Sequence, residues 1–217
     1  MSDALTIFRG ILGSEAAALA TDSTVDAATP YDAARFEMVF ASAGRRLGIT
    51  PIGGHTSITD ERGRSWPIDA WGRDEVGRAF LLLAASARVP SAAHVAWIDG
   101  CYRAGALRER TALLRALPLL PEPGGFLGTA LDACRASTQP VFEAIACENP
   151  YPADHFPDAS FAQLAMKAVF TGVALARILG LVSRHTPELA RMADDYAAER
   201  RAAGRDVPAD LTLVTTP

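Results

Sequence analysis

Apolar residues recur at intervals of three and four along most of the chain, the period of an amphipathic helix. In "TPYDAARFEMVFASAGRRLG", residues 29–48, Phe36, Phe40, Ala43 and Leu47 form one face. Thr29 reads as the N-cap, Pro30 as the first helical residue and Gly48 as the stop. "TPELARMADDYAAERRAAG" repeats that pattern with Thr186, Pro187 and Gly204. Leu189, Met192 and Tyr196 point inward, and Arg191, Asp194, Asp195, Glu199 and Arg201 make a charged outer face. Further helices are expected at 4–20, 72–88, 91–104, 106–117, 124–136, 138–148 and 158–181. From residue 88 onward the connections are short and rich in Pro or Gly, which sets consecutive helices antiparallel. The expected fold is all-α: stacked antiparallel helical hairpins in the manner of a HEAT-like α-solenoid, or an irregular helical domain. The sequence shows no clean repeat period to choose between them. The exception is 49–69, "ITPIGGHTSITDERGRSWPID", where "SITDERGRSW" suits a small hairpin.

Composition narrows the class. The chain has 217 residues, 49% hydrophobic and 21% charged, which is enough for a substantial core. A net charge of -4 argues against a nucleic-acid groove, which needs concentrated basic surface. Cys101, Cys134 and Cys147 include no CxxC pair, so buried free thiols in a reducing compartment are expected. "MSDALTIFRGILGSE" lacks the basic-then-apolar order of a signal peptide. The most apolar stretch, 168–182, falls short of the ~20 residues a membrane span needs and is interrupted by Arg177. A cytoplasmic protein without a direct membrane span is therefore expected.

Two segments carry candidate chemistry. In "DASFAQLAMKAVFTGVALARILG" apolar residues cover nearly the whole circumference, as in a helix at the centre of a domain. Gln163, Lys167 and Thr171, spaced by four, form its one polar stripe. Either the stripe is a solvent edge from which Lys167 snorkels, or it lines a pocket in which Gln163 and Lys167 are mostly buried. The preceding stretch, "ENPYPADHFPD", breaks the helical run. Thr138 caps a helix carrying Glu143 and Cys147. Asn149 before Pro150 must leave the helical region, and Asp158 can cap the helix that follows. The stretch is either a plain elbow or an elbow that also walls a site, with Tyr151, Asp154 and His155 at its mouth near a helix N-terminus. Candidate ligand-binding residues are thus Glu143, Asn149, Tyr151, His155, Gln163 and Lys167. No catalytic residue can be assigned. His55, His94, His155 and His185 are too dispersed for a metal motif, and no cofactor loop is present.

The motifs also carry a resemblance. "NPYPADHFPDASFAQLAMKAVFTGVALARILGL" with "PELARMADDYAAERRAAGRDVPADL" resembles the C-terminal half of EboA-domain proteins. "FEMVFASAGRR", "AAHVAWIDGCYRAG" and "RERTALLRALPLLP" are similar to that family's earlier blocks. The resemblance implies a single all-α domain over residues 30–211, after an unmatched N-terminal helix in 1–29 and before a short tail from 212. It also implies metabolite traffic or biosynthesis beside a prenyltransferase-like membrane protein and a sugar-cyclase-like enzyme. The implied partner is a small cyclitol- or prenyl-type metabolite, with a pathway enzyme or that membrane protein as a protein partner; the acidic balance already argues against nucleic acid. The alternative is an enzyme of the same pathway, a lyase or cyclase using acid–base chemistry through Glu143, His155 and Lys167.

Overall fold

In a computed structural model, residues 2–26, 30–60 and 62–215 are described. They form eleven α-helices and one two-stranded sheet, an all-α fold as the helical period predicts. The chain divides into two compact units, Met1–Thr129 and Ala130–Pro217. Among the described residues, no helix is long and apolar enough to cross a membrane.

The first unit holds α1 (Ser2–Leu12), α2 (Ser14–Asp22), α3 (Ala33–Leu47), β1 (Ser57–Thr59), β2 (Ser65–Pro67), α4 (Arg73–Ser86), α5 (His94–Ala104) and α6 (Leu107–Ala116). One helix expected over 4–20 is two, because Gly13 takes a φ of 60° between them. The expected cap Thr29 lies outside the described residues. Pro30 precedes the helix, and Asp32 caps α3 by accepting from the N–H groups of Ala34 and Arg35. Phe36, Phe40, Ala43 and Leu47 form the buried face of α3, as their spacing requires. The hairpin in "SITDERGRSW" is present, with Ile58 opposite Trp66.

The helix enclosed on nearly every side is α4, which packs against α1, α2, α3 and α6. Its sequence disguises this, since Asp74, Glu75 and Arg78 are all buried with the apolar residues. Such charges are tolerable only when paired and hydrogen-bonded. The Asp74 carboxylate accepts from Arg78 Nη1 at 2.5 Å and from Arg108 Nε at 2.7 Å. Glu75 accepts from Thr111 Oγ1 at 2.9 Å, from Arg115 at 2.5 Å and from the Gly72 N–H at 2.8 Å. Arg78 donates its Nε to the Phe40 carbonyl on α3 at 3.0 Å. Arg108, Thr111 and Arg115 occupy positions i, i+3 and i+7, one face of α6. Gly77 completes the seat, because a Cβ there would collide with the Leu47 side chain.

The second unit runs from α7 (Leu127–Arg135), within which the boundary falls, through α8 (Gln139–Ala146), α9 (Tyr151–His155) and α10 (Asp158–Thr171) to α11 (Pro187–Ala202). The helix expected over 158–181 stops at Thr171. Gly172 adopts the left-handed conformation, and the Val173 N–H turns back to the Ala168 carbonyl at 2.8 Å. Helix α11 has the expected ends, with Thr186 accepting from the Leu189 N–H and Pro187 in the first turn. Leu189, Ala190, Ala193 and Ala197 are its buried line, with Met192 and Tyr196 half-buried beside it.

Burial would raise the Asp74 pKa, but the hydrogen bonds and charges of Arg108 and Arg78 outweigh it and hold the carboxyl below its ordinary value. The unfolded chain therefore takes up that proton first as pH falls. The contribution of Asp74 is present above the ordinary carboxylate range, about 4, and is lost as pH drops through the folded value. Asp74→Ala, which strands Arg78, should cost about 3–5 kcal/mol in urea unfolding. Asp74→Asn should flatten the acid limb of stability against pH. An Asp74→Ala protein as stable as the parent would show that the network holds nothing together.

Candidate functional site at the proline-rich elbow

The stretch 148–158 is a short helix held between two turns. Glu148 leaves α8 with a φ of 47°, a strained conformation for a residue with a side chain. Arg177 compensates: its carbonyl accepts the Glu148 N–H at 2.9 Å, and its guanidinium grips the Glu148 carboxylate through Nε at 2.8 Å and Nη2 at 2.9 Å. The remaining arm of Arg177 reaches Glu143 at 2.7 Å, and Gln139 also donates to Glu143. These hydrogen bonds, Glu148 first, raise the Arg177 pKa further above its ordinary range, so the fork is permanently charged.

Asn149 turns the chain next. Its amide donates to the Ala144 carbonyl at 2.9 Å, and its oxygen accepts the Tyr151 N–H at 3.0 Å. Asn149 and Tyr151 are both interior residues, 3% and 0% exposed. The expectation that Tyr151 hangs at a mouth is therefore corrected: it anchors α9 in the core, and burial drives its phenol pKa up. His155, half-buried one turn on, lies with its ring 4.6 Å from that of Tyr151.

Asp158 is also corrected. It is the first residue of α10 rather than its cap, and its carboxylate accepts from Arg184 at 2.8 Å. Arg184 donates as well to the carbonyls of Ala153 and Phe156, which the end of α9 leaves open, and its guanidinium lies over the Phe161 ring. At the other helix end, Thr138 stands at the N-cap of α8 without a side-chain cap bond.

The polar stripe of α10 lies at an edge. Gln163 is exposed and Lys167 half-buried, not buried together as one reading of the sequence required. The reason is that α10 leaves a strip uncovered, along which Phe170 and Thr171 are exposed too. Lys167 donates to the carbonyls of Cys134 at 2.6 Å and Ala136 at 2.7 Å, and its ammonium sits 4.6 Å from the centre of the Phe142 ring. It thus closes the C-terminal end of α7. Burial pushes the Cys134 thiol up to about 11 against the charges of Lys167 and Arg135, so it stays protonated at neutral pH. Among the described residues, no group of three His, Cys, Asp or Glu side chains gathers to hold a metal ion.

The six residues expected to bind a ligand thus fall into three groups. Asn149, Tyr151 and His155 form one connected elbow. Glu143 belongs to the Arg177 fork. Lys167 and Gln163 follow each other along the open edge of α10. A family model described as "Metabolite traffic protein EboA" matches residues 32–215. The chain belongs to the EboA family. Neither a curated protein nor a solved structure matches it. The EboA match takes in both units and every elbow residue. Sequence reasoning missed Arg177 and Arg184 in this EboA chain, because their partners lie 26 to 34 residues away and no local pattern marks them.

Arg184→Ala leaves charge-assisted carbonyl bonds unmade and should cost roughly 2–3 kcal/mol. Asp158→Ala, whose carboxylate is mostly exposed, should cost about 1 kcal/mol or less. Chemical denaturation of both variants checks the order, and equal losses would mean that Arg184 works through Asp158 alone.

Proposed function

We propose that this EboA protein binds and hands on a small metabolite, of the cyclitol or prenyl type that the family's company of enzymes would handle. The observation that carries the reading is Lys167: a half-buried cation, fixed by two carbonyls and a ring, one turn along α10 from the exposed Gln163. Fixing the ammonium in the free protein lowers the ordering cost of receiving a polar head. Glu143 and His155 would contribute from the elbow surface, while Asn149 and Tyr151 would act from the interior by setting its shape. A protein partner from the same pathway would take the metabolite onward.

This arrangement supports holding a ligand over moving protons. Glu143 is neutralised by Arg177 and further hydrogen-bonded by Gln139, which makes it a weak general base.

The test incubates the protein with a metabolite extract of its source cells, followed by native mass spectrometry. A discrete small-molecule adduct is expected, lost in Lys167→Met combined with Gln163→Ala while circular dichroism stays unchanged. An adduct that persists in the double variant would move the site elsewhere. A captured molecule that disappears into a new product would make the protein an enzyme.

A further inference from the structure

Phe170 is 63% exposed at the end of α10, a large apolar side chain left in water one turn beyond Lys167. It is not isolated. Its ring packs edge-on against Tyr196 of α11, with centroids 5.1 Å apart, and the Arg200 guanidinium lies 6.0 Å from the centre of the Tyr196 ring. Arg200 is held in place by donating to the Asp206 carbonyl at 2.9 Å. On α10 Phe170 follows Lys167 by one turn, and on α11 Arg200 follows Tyr196 by one turn, so each of the two packed rings has a cation one turn away on its own helix. Single exposed apolar residues are ordinary. A pair of packed rings with a cation one turn away on each helix, in a chain of net charge -4, is a local reversal of character.

We infer that this strip takes an amphipathic small anion, its apolar or aromatic body on Phe170 and Tyr196 and its anionic head on Lys167 or Arg200. This rests on the small-molecule reading above and adds the class of ligand. Charge complementarity selects the anion, since the carbonyls and rings that hold Lys167 and Arg200 are neutral and leave their positive charge in place. The extent of the surface, two rings and their flanks, suits a small molecule and falls far below the area of a stable protein interface. Asp195 and Glu188 do not compete for the cations, because Arg191 holds both. Glu199, next to Arg200, subtracts from the positive charge.

The probe is octyl phosphate below its micelle concentration, titrated into the full chain by two-dimensional NMR, with octanol and inorganic phosphate as controls. Saturable shifts are expected around 163–171 and 192–200, with octanol and phosphate each weaker by about tenfold. Phe170→Ser, a change on the surface, should weaken octyl phosphate binding by several fold, and Arg200→Gln by about threefold. Glu199→Gln should tighten it. Octanol binding as well as octyl phosphate, shifts confined to other residues, or an unaffected Phe170→Ser protein would each overturn the inference. So would association with anionic phosphatidylglycerol vesicles in the absence of octyl phosphate binding, which would make the strip a lipid-surface contact. If the probe fails while native mass spectrometry still captures a metabolite, only the ligand class falls. If both fail, the binding reading falls with it.

Discussion

The buried carboxylate of Asp74 sets the terms for the first unit. A helix enclosed by four others should be apolar all round, yet α4 carries two acids and an arginine into the interior. Each needs a partner fixed in position, and those partners come from different elements: Arg78 from α4 itself, Arg108 from α6, and the Phe40 carbonyl from α3. Apolar packing alone would accept several arrangements of these helices. Paired buried charges accept few, because a displaced helix leaves a charge without its counterion. Here the polar interior supplies the registry between α3, α4 and α6.

The second unit meets a related demand with the backbone. Three helices end in quick succession around the elbow, and each ending exposes carbonyls or strains a turn. Three cations from farther along the chain answer them. Lys167 serves the end of α7, Arg177 the strained exit from α8, and Arg184 the end of α9. The elbow is thus held by long-range cationic capping as well as by its prolines. Its shape depends on residues 167–184 being in place, so local sequence cannot encode it alone.

That dependence explains what the sequence could and could not convey. Helices whose signals are local were legible, such as α11 with its Thr186 cap and α3 with its apolar face, as was the hairpin between Ile58 and Trp66. The ending of α10 was hidden by the apolar run on both sides of Gly172, although a glycine there permits a left-handed cap. The central position of α4 was hidden by its charges, which read as a surface until Arg108 and Arg115 are placed opposite. At the elbow, the residue types were recognisable while their roles were not. Asn149 and Tyr151 look like site residues on paper, but an Asx turn and core packing draw them inside. Phe170 looked like core, yet α10 leaves it in the open.

Gly180 bears on how this protein can be handled experimentally. Its φ of 77° and the place its missing Cβ would occupy, against Ala153 of α9, forbid a side chain where the chain returns to the elbow. Two residues later Val182 is 80% exposed. The loop is therefore anchored at one point and open at the next, so a single engineered thiol at position 182 gives a spectroscopic label fixed close to α9. The native thiols leave that position chemically distinct: Cys134 and Cys147 are buried, and Cys101 is half-buried with its pKa driven up to about 11 by burial and the neighbouring Glu37 charge.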